Sequence, residues 1–110
     1  MPTSKLDKEN LQRIEDIDRN IHAPARLKIM ACLAVVEKAD FIFLMRQTGL
    51  SRGNLSPNLR KLEEADYIKI QKEFVDRIPR TIVQLTENGR AALETYRESM
   101  QSVLSELLGK

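Results

Sequence analysis

A mainly helical α+β fold is predicted for this chain, its elements running α-α-α-α-β-β-α, and three observations predict it. Apolar residues recur at helical spacing up to Leu62, alternate with polar ones between Ile68 and Leu85, and return to helical spacing beyond Thr86. Composition sets the scale. With 110 residues, 42% of them hydrophobic, the chain is one domain, or one domain with an added helical arm. A core that small is marginal for a monomer, so an obligate dimer is the natural expectation.

Leu11, Ile14, Ile17 and Ile21 recur within a charged stretch and predict a first amphipathic helix from about Lys8 to Arg19. Pro24 suits the first turn of a second helix, where its missing N–H leaves nothing unsatisfied. That helix, about Pro24 to Glu37, shows Leu27, Met30, Ala31, Ala34 and Val35 on one face. Asp40 is the expected N-cap of a third helix, Phe41 to Thr48, and Gly49 ends it by taking positive φ without strain. Ser51 caps the fourth helix, which buries Leu55, Leu59 and Leu62.

Beyond Leu62 the period changes from helical to alternating. Ile68, Ile70 and Phe74 alternate with Lys69, Gln71 and Glu73, and Thr81, Val83 and Leu85 alternate with Ile82 and Gln84. Two strands of a hairpin follow, with Asp76-Arg77-Ile78-Pro79 at its tip. Thr86 caps a last helix running to about Leu108, whose apolar residues Leu93, Tyr96, Met100, Val103 and Leu107 step by 3, 4, 3 and 4. That spacing reads as a coiled-coil seam rather than the broader stripe of a helix lying on a core. A helix-turn-helix followed by a β-hairpin is a winged helix.

The formal charge is +2, so distribution matters more than total. From Asp7 to Asp18 there are five acidic residues against Lys8 and Arg13; from Phe41 to Leu62 there are Arg46, Arg52, Arg60 and Lys61 with no acid. The hairpin then brings Lys69, Lys72, Arg77 and Arg80 against Glu73 and Asp76. A polyanion is the natural partner of such a middle.

At 100° per residue, Gly53, Asn54, Pro57, Arg60 and Lys61 fall opposite the buried leucines of the fourth helix. Glu64 lies there too, one turn further along. Arg and Asn carry paired donors and acceptors that match guanine and adenine edges. Arg46 and Lys61 are better placed for phosphates. Arginines flanking a rigid proline at a hairpin tip suit the backbone or the minor groove. The bland alternative is a solvated charged face. Pro57 would kink the helix or loosen its first turn, since its ring meets the carbonyl of Gly53. Alternatively, Ser56 caps a restarted helix with Pro57 at its first position.

Other chemistries find little support. No run of about 18 apolar residues predicts a membrane span, and Met1-Pro2-Thr3-Ser4-Lys5 opens no signal-peptide apolar region. The single cysteine, Cys32, excludes an intramolecular disulfide, fits a reducing cytoplasm and sits among apolar neighbours as a core thiol. One Cys and one His cannot supply four metal ligands, and no cofactor is implied. His22 is expected to cap or hydrogen-bond near a helix start. Glu15, Asp16 and Asp18 read as the wet face of their helix, and Phe41, Phe43 and Phe74 as core. Without a nucleophile–base pair or a Gly-rich phosphate loop, the chain is not expected to be an enzyme.

The run Ile21-His22-Ala23-Pro24-Ala25-Arg26-Leu27-Lys28-Ile29-Met30, then Thr48-Gly49-Leu50-Ser51-Arg52-Gly53-Asn54-Leu55-Ser56, then Leu59-Arg60-Lys61-Leu62-Glu63-Glu64-Ala65 with Tyr67-Ile68, resembles winged-helix transcription regulators of the ArsR/MarR type. The hairpin end Arg77-Ile78-Pro79-Arg80-Thr81 and Leu85-Thr86-Glu87-Asn88-Gly89-Arg90 fit as well, and the match covers about residues 21 to 95. The small one-domain archaeal and bacterial group is the nearest in kind. Two departures stand out: Asp66 where the family commonly has Gly, and Pro57 where a helical, often basic or polar residue is usual.

The resemblance implies a homodimer on a pseudo-palindromic operator of double-stranded DNA. It places Ser51, Arg52, Asn54, Ser56 and Asn58 on or beside the groove-facing helix, and Arg77 and Arg80 in the wing. The expected division is an arm over 1–20, a winged helix-turn-helix over 21–85 and a dimerisation helix over 86–110. Leu93, Tyr96, Met100, Val103 and Leu107 would pair with a second copy, joined by Leu11, Ile14 and Ile17. A cavity between the dimerising helices and the DNA-binding lobes could admit an unidentified small-molecule effector. The alternative to a DNA-binding repressor is a winged-helix adaptor between proteins.

Overall fold

A computed structural model describes residues 8–109; the opening Met1–Lys5 run and Asp7 lie outside them. The described elements are α1 (Lys8–Glu15), α2 (Pro24–Val36), β1 (Lys38–Asp40), α3 (Phe41–Thr48), α4 (Arg52–Glu64), β2 (Ile68–Val75), β3 (Ile78–Leu85) and α5 (Glu87–Leu108). The strands form an antiparallel sheet in the order β1-β3-β2. The winged-helix order therefore holds, with one strand added.

The added strand, β1, leaves no mark in the sequence. Three residues, Lys38-Ala39-Asp40, are too short for alternation to show. They become a strand because Lys38, Ala39 and Asp40 pair with Gln84, Val83 and Ile82. α1 also stops earlier than its apolar spacing predicted, at Glu15 rather than near Arg19. The competing structure is local: the Asp18 carboxylate accepts from the backbone N–H of Asn20 (2.8 Å) and Ile21 (3.3 Å), a turn that Asp offers the chain in place of helix.

On α2 the buried residues are Ile29, Met30 and Leu33. Ala31 and Val35, expected inside, are exposed. The helix is apolar on most of its surface, so its sequence does not define which face meets the core. The caps follow their residues more closely. Asp40 accepts from Phe43 N–H at 2.7 Å, Gly49 ends α3 at φ 74°, and Thr86 accepts from Gly89 N–H at 2.9 Å. Ala23 precedes α2 without a side-chain cap, and His22 turns elsewhere, its Nδ1 lying 2.9 Å from the Tyr96 hydroxyl.

Between α4 and β2 the chain closes in a Schellman turn. Tyr67 N–H donates to Leu62 C=O (3.0 Å) and Asp66 N–H to Glu63 C=O (2.9 Å), with Asp66 at φ 64°. Asp therefore takes the left-handed position that glycine usually fills.

Ile17, Ile21, Ile29, Met30, Leu33, Leu44, Leu55, Leu59, Leu62, Ile68, Val83 and Leu85 are among the residues of one core. That core extends along α5, where Tyr96 is 8% and Val103 4% exposed. Part of the predicted seam is used within the chain: Ile17, Tyr96 and Val103 are buried, and α1 lies along α5. Leu93, Met100 and Leu107 are partly buried against the same core. Arg13 pairs with Glu106 and reaches Ser102, fastening the two helices. What stays open on them is Leu11, Ile14, Leu104 and Leu108.

Tyr67 donates its hydroxyl hydrogen to the Asp18 carboxylate. Burial, together with that acceptor and its negative charge, pushes the hydroxyl up to about 12. A group held protonated in the fold stabilises it fully below its unfolded value, here about 10, and ceases to do so as the pH rises towards the folded value. The wild-type unfolding midpoint is therefore expected to fall more steeply between pH 10.0 and about 12 than that of Tyr67→Phe. Parallel curves in alkaline denaturation would remove this contact from the stability of the fold.

Candidate nucleic-acid interface

α4 starts where Ser51 accepts from Asn54 N–H at 3.3 Å and runs without interruption through Pro57 to Glu64. A restart at Ser56 is thus not what forms. The proline ring faces the carbonyl of Gly53, four residues earlier. Lacking an N–H, Pro57 leaves the Gly53 carbonyl without its usual helical donor.

The inner face of α4 is Leu55, Leu59 and Leu62. Ser51, Arg52, Gly53, Asn54, Pro57, Arg60 and Lys61 are exposed, as is Arg46 on α3, while Ser56 and Asn58 are half-buried. Two of these side chains are held in place. The Arg52 guanidinium lies over the Phe41 ring at 4.9 Å, a cation–π contact that restrains it while leaving its edges free. The Asn58 amide is occupied inside the chain, accepting from Arg26 Nη1 at 2.9 Å and donating to the Asn54 carbonyl at 2.7 Å. Asn58 therefore supports the exposed face rather than reading from it.

Opposite α4 stands the hairpin of β2 and β3. Its turn is tighter than expected: Val75 pairs with Ile78 and Phe74 with Pro79, so the tip is Asp76-Arg77 alone, with φ 53° and 67°. Positive φ at both central residues matches a type I′ hairpin turn. Arg77 is exposed at the end of the wing. Arg80 is further back, 3.4 Å from Asp40, whose other oxygen caps α3; one carboxylate thus joins the base of the wing to the helix-turn-helix.

Between helix and hairpin runs a cleft of about 640 Å³, lined by Arg52, Arg60, Lys72 and Arg80 together with Asp40 and Glu63. The acid-free stretch ends at Leu62, and the two carboxylates enter the cleft from beyond it. The charge of this surface is predominantly positive, not purely so. Phe74, read as core, is 76% exposed. It shares the sheet face of Ile70 and Lys72, but the hairpin has by then projected past the body it could pack against.

Two residues at this site escaped the sequence reading. Lys72 was visible only as one of several charges, and which face it took depended on strand register. Arg26 carries no signal, because the partner that ties it to α4, Asn58, lies 32 positions away. Among the described residues no His, Cys, Asp and Glu cluster could hold a metal ion, and no helix is long and apolar enough to cross a membrane. Cys32 is half-buried, and burial pushes its thiol up, away from thiolate.

A helix-turn-helix whose second helix faces outward with arginines, flanked by an arginine-tipped hairpin, defines the class of winged-helix nucleic-acid-binding proteins. Residues 25–104 match the model of the winged helix DNA-binding domain family, to which the chain belongs. It is 35% identical over 71 residues, 64% of this chain and 77% of the relative, to an uncharacterized protein of Methanocaldococcus jannaschii. Among solved structures it is similar to a transcriptional regulator homologue from Pyrococcus horikoshii OT3, at 32% identity and a TM-score of 0.81, covering 90% of this chain and 97% of that one. It shares its fold with a MarR-family transcriptional regulator from Silicibacter pomeroyi, at 17% identity and a TM-score of 0.62, covering 94% and 69%. The family is one of DNA-binding domains, and the Pyrococcus horikoshii relative is a transcriptional regulator homologue.

Proposed function

We propose that the chain is a sequence-specific, homodimeric transcription regulator acting as a repressor by occlusion. It reads a pseudo-palindromic operator with α4 in the major groove and the 75–80 wing beside it. The observation that carries the reading is the exposure of Asn54, Arg60 and Lys61 on the outer face of α4, with Arg52 and Arg60 lining a cleft that Lys72 and Arg80 line from the hairpin. Asn54 and Arg60 contact base edges; Arg46, Lys61 and Arg77 contact phosphates or the minor groove. The arm over 1–20 and the helix over 86–110 pair two copies, so that the two α4 helices meet successive major grooves about 34 Å apart.

The test is selection of bound fragments from a random duplex pool, followed by titration of the selected duplex across a salt series. Two inverted half-sites should emerge, and log affinity should fall linearly with log salt. Arg60→Ala should weaken the selected duplex by about tenfold, as loss of one base contact does, and random duplex much less. A pool with no enrichment and no salt-dependent retention would instead favour an adaptor between proteins.

Arg77 offers a second check, because its two roles oppose each other. A non-glycine residue in the left-handed region costs about 1 kcal/mol. Arg77→Gly is expected to stabilise the fold by about that amount while weakening duplex binding and flattening the salt slope by about one. Thermal unfolding and DNA titration should thus move in opposite directions; tighter binding by the glycine variant would remove the wing from the interface.

A small-molecule effector would bind in the open groove of about 570 Å³ bounded by Asp18, Tyr67, Asn88, Thr95, Tyr96 and Ser99. It lies between the arm, the end of the helix-turn-helix and α5.

A further inference from the structure

We infer that Arg26 is a positioning residue for DNA readout: its guanidinium ties the loop between α1 and α2 to α4, so that this loop sets how α4 presents Asn54. The inference rests on the DNA-binding reading above and adds to it a mechanical link that no base contact supplies.

The bonds run in a continuous line. Arg26 Nε donates to the Asn20 carbonyl at 2.6 Å, Nη2 to the Arg19 carbonyl at 3.2 Å, and Nη1 to Asn58 Oδ1 at 2.9 Å. Asn58 Nδ2 then donates to the Asn54 carbonyl at 2.7 Å. The loop end of the line is itself anchored. One Asp18 oxygen accepts from Asn20 and Ile21 N–H, and the other accepts from the Tyr67 hydroxyl. Both Arg26 and Asn58 are half-buried, and the bond between them is partly shielded from water, which strengthens it.

The far end of the line reaches the one part of α4 whose own ladder is weakened. Pro57 supplies no N–H to Gly53, so the turn carrying Gly53 and Asn54 relies more on other contacts. The Asn58 amide is such a contact, and Arg26 fixes its orientation. A displacement of residues 19–20, by a ligand in the groove beside Asp18 or by movement of the arm, would therefore reach the helix face that meets DNA. The planar fork is essential to the geometry. It serves three acceptors at once from fixed directions, whereas a lysine ammonium is a point donor on a flexible stem.

The test uses the full chain with two DNA probes, a duplex pool selected by the wild type and the same pool before selection. Arg26→Ala and Asn58→Ala should each weaken binding to the selected pool about tenfold, the effect of losing one charged hydrogen bond, with binding to the unselected pool changed far less. The double variant should be no weaker than Arg26→Ala alone. Arg26→Lys should stay close to Arg26→Ala, although it keeps the charge. Equal losses on both pools, full recovery by lysine, or additive effects in the double variant would each overturn the link in favour of a phosphate contact.

Hydrogen exchange supplies a readout that needs no DNA, so failure of the regulator reading remains separable. Amides in the first half of α4 should exchange faster in both alanine variants while those of α5 do not. Unchanged protection in α4 would overturn the link whatever the DNA results. Because Asn58→Ala leaves both bonds from Arg26 to the loop in place, it keeps the test alive should Arg26→Ala fold poorly.

Discussion

Gly89→Ala should destabilise the protein by about 3 kcal/mol, at the upper end of what over-packing costs. A Cβ on Gly89 would lie 2.1 Å from the Tyr67 carbonyl oxygen, 2.8 Å from its carbon and 3.0 Å from Leu85 Cδ1. The first two are backbone atoms and cannot swing aside. Nor can the segments part easily. Thr86 N–H donates to the Tyr67 carbonyl at 3.0 Å and the Thr86 hydroxyl to the Asp66 carbonyl at 2.7 Å, so relief of the clash would break the bonds that seat α5. Gly53→Ala is the fitting control. Nothing lies within 4 Å of its Cβ, its φ is not positive, and a helical Gly→Ala change there should stabilise by about 0.5–1 kcal/mol. Urea unfolding of the two variants should move the midpoint in opposite directions. A Gly89→Ala midpoint equal to that of the wild type would show that α5 is not clamped at its start.

Leu104→Asp should separate two copies of the chain and lower affinity for a duplex carrying both half-sites by about a hundredfold, the scale of avidity lost when two linked modules bind singly. Leu104 is 48% exposed and Leu11 47%. With Ile14 and Leu108 they are the large apolar side chains left open on α1 and α5. Met100 is a poorer test, since it packs partly on its own chain and a charge there would confuse unfolding with dissociation. Sedimentation velocity at micromolar protein distinguishes the outcomes. Should Leu104→Asp sediment as the wild type does, this face is not where copies meet. Binding to a single half-site should change little in either case.

Features held by neighbours in sequence were legible before the structure. Asp40, Ser51 and Thr86 cap the helices they precede, and the alternation from Ile68 onward marks the hairpin, because each depends on residues within a few positions. The errors share a different character. β1 is a strand by virtue of a partner more than forty positions away. The 3-and-4 spacing of α5 is real, yet spacing reports only that a stripe is apolar. It does not say whether the stripe meets a second copy or, as with Tyr96 beside His22, its own chain. Phe74 obeys the alternation of β2 and is nonetheless exposed, since register says which side of a sheet a residue takes and not how far the sheet outruns the body. At the candidate site, the exposed arginines were legible from charge and helical phase. The Arg26–Asn58 bond was not, because no local pattern announces a hydrogen bond between two elements.

The short β1 pairs with β3 only from Ile82 to Gln84, so the sheet has three strands at its root and two from Thr81 outward. Two-stranded ribbons twist more readily than broader sheets. The hairpin therefore behaves as a cantilever whose stiffness declines along its length: Arg80, near the root, is fixed by Asp40, and Arg77 rides on the compliant end. In the proposed complex, an arginine so mounted would follow variations in minor-groove width, which differ from one DNA sequence to another.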